Sequence, residues 1–302
     1  MLGGPAGAIA SGASSRRPAA GLLAIAARLA SRPAGAVGLF GTALFVLVAI
    51  VGPLLFGDQA LTMGNTALAG PSAQHLMGTD EFGRDVLNRV VVGVRVSLVI
   101  GVGAVIIGGL VGVLTGVLAG YVGGWVEAVV MRVWDALLAF PSIFVAIGTA
   151  ALLGAGVRNI IVAVAIVNMP TFARLVRAST LAEKKKEYVD AARTVGVGPV
   201  EIMLGEIWPN IAAPIFVAGA TAAPAAILLA AALDFLGLGE QPPAPSLGQM
   251  VSASRQFLQN DPWYALFPGS VLVVLVLVLS LLGTSLPDAL NPARRTVRRS
   301  PK

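Results

Sequence analysis

Cysteine is absent from this chain of 302 residues. That excludes a disulfide framework, a thiolate metal site and a cysteine nucleophile, and it leaves the redox compartment unread. Histidine occurs once, at His75, so no His-x-x-x-His zinc pattern exists, and a single histidine in a loop reads as a solvated side chain. Lysine is confined to Lys184, Lys185, Lys186 and Lys302, none of which follows a glycine. The phosphate-binding loop Gly-x-x-x-x-Gly-Lys-Ser/Thr is therefore missing, and ATP cannot be held by that route. Neither a dinucleotide-binding glycine fingerprint after a strand nor the alternation of a membrane β-barrel is present. Charge is scarce too, at 12% of residues against 56% hydrophobic.

What remains is apolar, with a mean hydropathy of +0.85, far from the mix of a soluble domain. A helix needs about 20 residues to cross a hydrocarbon layer ~30 Å thick. Runs of that kind lie at 37–56, 97–121, 126–153, 160–176, 211–236 and 265–286. The sequence thus predicts an all-α polytopic membrane protein with six transmembrane helices. Arg16, Arg17, Arg28 and Arg32 precede the first run, but its apolar stretch is too long for a signal peptide and no Ala-x-Ala-like site follows, so it reads as a retained anchor. The expected organisation is an N-terminal segment 1–35, a first anchor helix 36–57, an outer segment 58–96 with a short interfacial helix, a five-helix core 97–290, and a basic tail 291–302.

Orientation follows from the basic residues. With the N-terminus inside, Arg16, Arg17, Arg28, Arg32, Arg132, Arg174, Arg177, Lys184, Lys185, Lys186, Arg193, Arg294, Arg295, Arg298, Arg299 and Lys302 are cytoplasmic. Only Arg84, Arg89, Arg95, Arg158 and Arg255 fall outside. This bias places both termini in the cytoplasm. It also accounts for the net charge of +6. No aromatic-studded basic face accompanies it, so nucleic acid is not an expected partner and membrane lipid is.

The polar stretch EYVDAARTVGVGPVEIMLGEIWPN, residues 187–210, interrupts the apolar pattern on the cytoplasmic side. Residues 184–195 favour a helix on which Glu187, Asp190 and Ala191 share a face. Gly196 and Gly198-Pro199 break it, and a second helical segment runs to Trp208 before Pro209. Taken alone, the stretch reads equally as a linker with a solvated charge run. Elsewhere, Gly108, Gly112, Gly116 and Gly120 recur every four residues and form a smooth helix face for backbone-to-backbone packing, inside this subunit or against a second one. Glu127 and Asp135 stand near the inner end of the third span, with Arg132 as the expected partner of Asp135. Asp234 lies near the outer end of the fifth span without a basic neighbour. It reads either as a path-lining carboxylate or as an interfacial cap in water. Residues 78–89 are expected to form a short surface helix capped by Thr79 or Asp80, with Arg84, Asp85 and Arg89 exposed.

Several stretches carry a family resemblance. Asp190-Ala191-Ala192, Gly196 and Ile207-Trp208-Pro209 resemble the EAA loop of permease subunits in bacterial ATP-binding-cassette importers, with Asp in place of Glu and Trp in place of Leu. MGTDEFGRDVLNRVVVGVRVSL (77–98), AGYVGGWVEAVVMRVWDALLAFPSI (119–143) and FLGLGEQPPAPSLGQM (235–250) are similar to stretches of the dipeptide, oligopeptide and nickel permease group. The resemblance spans 77–292 and leaves the N-terminal extension unmatched. It implies the type I importer permease fold in a bacterial inner membrane and a cytoplasmic coupling loop at 182–209. In that loop Glu187, Asp190, Ala191, Ala192, Gly196 and Pro209 would serve contact with an ATPase. The implied partners are a second permease, two ATPase subunits or one fused ATPase, and an extracytoplasmic substrate-binding protein. The chain itself would hold no cofactor, ATP and magnesium belonging to the ATPases. Where the family often has an acidic residue one turn before Asp234, this chain has Ala230. Peptides are the favoured cargo, with nickel complexes second. The rival classes are a self-contained channel, for which no filter motif is visible, and an intramembrane enzyme, for which no nucleophile and base can be assembled.

Overall fold

The structure is a computed structural model that describes residues 18–290. Arg16, Arg17, Arg294, Arg295, Arg298, Arg299 and Lys302, with the tail 291–302, lie outside those residues. Among the described residues the chain is helical, with one isolated bridge between Thr79 and Asp85 and no named strand. Five helices are long and apolar enough to cross a membrane, and a sixth crossing is supplied by a pair bent at 93°.

Helix α1 (Pro18–Ala30) leads into α2 (Pro33–Phe56), whose first turn accepts Pro33 because the N–H it lacks would be unsatisfied there. The sequence predicts no helix ahead of the first span. Here α1 packs against both α2 and the last helix, and Arg28 donates to the Ala289 carbonyl at 3.2 Å while Arg32 pairs with Asp288.

Helix α3 (Val86–Val122) has 37 residues, about 55 Å at 1.5 Å per residue, so it outreaches a hydrocarbon layer by a wide margin. This corrects the expectation of a separate surface helix at 78–89. Asp85 caps α3, its carboxylate accepting from Asn88 N–H at 3.1 Å, and residues 78–84 are turns folded over the helix start. Thr79 and Asp80 cap nothing. Arg84 and Arg89 are 3% and 1% exposed rather than solvated, because Asp80, itself fully buried, accepts from Arg84 Nε at 2.6 Å and faces Arg89 Nε at 3.3 Å. Arg89 also donates to the carbonyls of Ala60 and Pro243, both at 3.1 Å, which pins the 57–85 loop and the loop after the fifth span onto one helix. His75 is not simply solvated, since its Nδ1 lies 2.8 Å from the Asp85 carboxylate.

The third span, expected as one helix over 126–153, is two: α4 (Gly124–Leu138) and α5 (Ser142–Leu153). Pro141 causes the break, because its ring bars the preceding residue from helical geometry and it supplies no N–H. Helix α6 (Val157–Glu183) then packs along α3. Cβ atoms placed on Gly108, Gly112, Gly116 and Gly120 would come within 2.6–2.9 Å of the carbonyl oxygens of Ala165, Met169, Ala173 and Arg177. The glycines are thus spent on the α3–α6 contact, where only hydrogen permits that approach. Both number series rise together, so α3 and α6 run parallel. The chain must therefore return across the layer between them, and α4 with α5 makes that return.

After α6 come α7 (Glu187–Thr194), the single turn α8 (Pro199–Glu201), a π-helical stretch Ile202–Ile207, and α9 (Trp208–Phe235). Helix α9 runs antiparallel to α3, with Gly101 facing Ala223 and Ile227 while Gly219 faces Val105. Helix α10 (Leu247–Ala253) is capped by Ser246, which accepts from Gln249 N–H at 3.2 Å. Helix α11 (Trp263–Leu290) closes the bundle against α9 and antiparallel to α2, where Gly38 meets Leu282 and Gly41 meets Val278. The core joining α3, α5, α6 and α9 is built largely of small residues such as Ala104, Ala146, Ala150, Ala163 and Ala230. Helices already in lipid gain little from hydrophobicity, so close van der Waals contact has to hold them.

Candidate functional site

The loop between the fourth and fifth spans packs by one side against the ends of α6 and α9. Helix α7 puts one side chain inward: Val189 is fully buried against Phe172, Val176, Ile202, Ile207 and Ile211. That spacing leaves Glu187, Asp190, Ala191 and Thr194 exposed on the opposite face, with Ala192 half-buried at the edge. Asp190 holds Arg193 at 3.1 Å, and Thr194 Oγ1 donates to the Asp190 carbonyl at 2.9 Å. The helix starts at Glu187, since 184–186 form a turn.

Gly196 ends α7 with φ +84°. Its N–H donates to the Arg193 carbonyl and that of Val197 donates to Ala192, each at 3.0 Å. This paired closure demands a left-handed residue at Gly196, which a side chain resists. Val195, next to it, is 80% exposed. The second helical segment does not stop at Pro209, which sits in the first turn of α9 where its missing N–H goes unneeded. Instead the π-helical stretch fuses α8 to α9. In an α-helix, residues five apart point about 140° away from each other. The wider π turn brings Ile202 and Ile207 together, both buried in the core that receives Val189.

A foot of polar contacts missed by the sequence reading anchors this loop. Glu183, at the end of α6, accepts from Tyr188 Oη at 2.5 Å and from Lys186 Nζ at 2.7 Å. Burial, reinforced by the Glu183 carboxylate, pushes the Tyr188 phenol up to about 12, so it remains a donor throughout the physiological range. Lys184 donates to the Tyr121 carbonyl, and Lys184 and Arg193 both approach the Tyr121 ring, at 5.3 and 5.8 Å. Tyr121 closes α3, so three spans meet at the base of α7. Only the fold brings Tyr121 to residues 183–193, and no sequence spacing signals it.

Asp234 is not the solvated cap that one of its two expected roles requires. It is 4% exposed, and its carboxylate accepts from Glu240 N–H at 3.1 Å. A Cβ on Gly239 would overlap it, and one on Gly248 would lie 2.7 Å from its Cβ. In this arrangement Asp234 orders the loop after α9. Asp135 also departs from expectation. Its partner is Arg174 of α6, at 2.6 Å, and not Arg132, while Glu127 pairs with Arg177, whose Nε lies at 2.6 Å. These side chains and Arg132 line a cleft of about 620 Å³ between α4 and α6.

Comparisons with known proteins bear on this arrangement. A family model described as "Binding-protein-dependent transport system inner membrane component" matches residues 112–296. The chain is 43% identical over 261 residues to the dipeptide transport system permease protein DppC of Alkalihalophilus pseudofirmus, covering 86% of each chain. It is 48% identical over 223 residues to the glutathione transport system permease protein GsiD of Salmonella paratyphi A, covering 74% of each, and 45% identical over the same length to GsiD of Escherichia coli O6:K15:H31.

Proposed function

Because this chain belongs to the family of binding-protein-dependent transport system inner membrane components, a multi-pass inner-membrane permease family and not an enzyme family, we propose that it forms half of the path by which short peptides enter the cell. The family carries with it ATPase and substrate-binding partners. In our reading the permease pairs with a second, homologous permease, and two ATPase domains sit beneath the pair, binding the ATP and magnesium that this chain does not.

The observation that carries the reading is the exposed face Glu187, Asp190, Ala191 and Thr194, held rigid by the buried Val189 and bracketed by α6 and α9. Small size at Ala191 and Ala192 suits a helix seated in a groove of the ATPase. Asp190 suits pairing with a basic groove residue. Closure of the ATPases would push α7, and the buried Val189, Ile202 and Ile207 cluster would pass the displacement to α6 and α9 as packed, rigid elements. In our reading α7 and both termini are cytoplasmic and α10 is outside, which the distribution of basic residues supports. Peptides are favoured over nickel complexes because the similar relatives named above are transport permeases for a dipeptide and for glutathione, itself a tripeptide. Reconstituting the full complex with its binding protein in proteoliposomes tests the proposal. ATP-dependent uptake of a labelled dipeptide is expected, and uptake of nickel without peptide would refute it.

A further inference from the structure

Helix α3 is longer than a membrane crossing requires, and it ends in an aromatic residue at the base of α7. Tyr121 lies in its last turn, so the Tyr121 carbonyl is one of those that a helix leaves without an internal partner. Lys184, in the turn before α7, donates to that carbonyl, a cation at the end of α3 where the macrodipole favours one. Its Nζ also stands 5.3 Å from the centre of the Tyr121 ring. The guanidinium of Arg193, in the last turn of α7, stands 5.8 Å from the same centre. Both distances are within the reach of cation–π attraction. One ring therefore holds α7 at its two ends.

We propose that Tyr121 is a positioning residue for coupling, the contact by which displacement of α7 drives α3 directly and not only by way of α6 and α9. The inference rests on the reading of α7 as the helix seated on the ATPase. Arg193 carries the link from the docking face, since it pairs with the exposed Asp190 at 3.1 Å while its guanidinium lies over the ring. From Tyr121 the displacement enters a helix that packs against α2, α6 and α9. The glycine stripe seats that helix on α6 backbone to backbone, so the two move as one body. Packing alone does not account for the arrangement. Tyr121 borders the apolar cluster around Val189, and leucine would fill that edge as well, but only an aromatic face draws two cations to one place.

The test compares peptide imported per ATP hydrolysed in proteoliposomes that hold the complete complex and its binding protein. Tyr121→Leu keeps apolar bulk and removes the ring. It is expected to retain its ATPase on copurification and to import about fivefold less peptide per ATP. Tyr121→Phe, which keeps the ring face, is expected to hold the wild-type ratio, a rescue that a packing role open to leucine would not produce. Arg193→Gln should lower the ratio and Arg193→Lys should retain part of it. The double variant Tyr121→Leu/Arg193→Gln should be no worse than Tyr121→Leu alone, since both changes remove one contact. A wild-type ratio in Tyr121→Leu, a Tyr121→Phe as poor as Tyr121→Leu, or losses that add in the double variant would each overturn the proposal. Should Tyr121→Leu fail to assemble, Arg193→Gln decides at an exposed position, and a wild-type ratio there overturns it. ATP-driven uptake by the wild type with equal coupling in Tyr121→Leu removes only the role of Tyr121, whereas a wild-type complex without such uptake refutes the importer reading and this inference with it.

Discussion

Replacing Gly112 by alanine adds a single methyl at the tightest part of the α3–α6 contact. That Cβ would lie 2.5 Å from Phe172 Cβ, 2.8 Å from the Met169 carbonyl oxygen and 3.0 Å from Ala173 N. Carbon atoms prefer about 3.5–4.0 Å, so the contact is about 1 Å short. All three obstructing atoms belong to, or are attached directly to, the α6 backbone, so no rotamer change relieves the clash. The two helices have to separate by that distance, which also loosens the packing at Gly108 and Gly116. Overpacking of this kind costs about 1–3 kcal/mol, and the rigid obstruction puts Gly112→Ala at the upper end, about 2–3 kcal/mol. Gly109, three residues away on the same helix, is the control, because its Cβ would meet the Phe172 ring at an ordinary 3.8 Å. Alanine there removes a glycine from a helix interior, an effect worth up to about 1 kcal/mol in favour of folding. Chemical unfolding of the purified protein in detergent should thus show Gly112→Ala destabilised and Gly109→Ala unchanged or stabilised. Equal stability of the two variants would refute the account of the glycine stripe.

Two further outcomes follow from buried carboxylates. Asp80→Ala strands the guanidiniums of Arg84 and Arg89 without their shared partner, and breaking a buried pair in this way costs about 3–5 kcal/mol. The variant should accumulate poorly and unfold early in a detergent thermal melt, and wild-type stability would contradict the described network. Asp234→Asn keeps an oxygen for the Glu240 N–H and should support uptake of cationic, neutral and anionic peptides in wild-type proportion. A selective loss of cationic peptides would return Asp234 to the path.

The number of spans was legible because each needs about 20 apolar residues, a signal that no tertiary contact is required to produce. The end of α7 was legible for a similar reason, since Gly196 marks the left-handed turn locally. The missed features depend on partners distant in sequence or on competing signals. Asp135 had Arg132 within reach on its own helix, yet the fold offers Arg174 from α6, 39 residues on. Arg84 and Arg89 look like surface residues until Asp80 is buried beside them. Pro141 was the available sign of the break between α4 and α5, obscured by the unbroken hydrophobicity around it. The π turn has no sequence signature beyond Pro199 and Pro209, and it becomes intelligible only when Ile202 and Ile207 are seen to share one core. At the candidate site, the exposed face of α7 was readable from helical spacing. Its anchoring through Tyr121, Glu183 and Tyr188 was not.

The central claim is that α7 is a seated coupling helix, and Ala191→Trp tests it most directly. Ala191 is exposed and touches none of the buried cluster around Val189, so the subunit should insert and pair with its partner permease as before. The indole would nevertheless fill the groove that receives α7. The measurement is peptide uptake beside ATP turnover in proteoliposomes containing the whole complex. The account predicts that Ala191→Trp either loses its ATPase on copurification or hydrolyses ATP without transport. Normal uptake with normal hydrolysis would show that residues 187–210 are only a linker between spans.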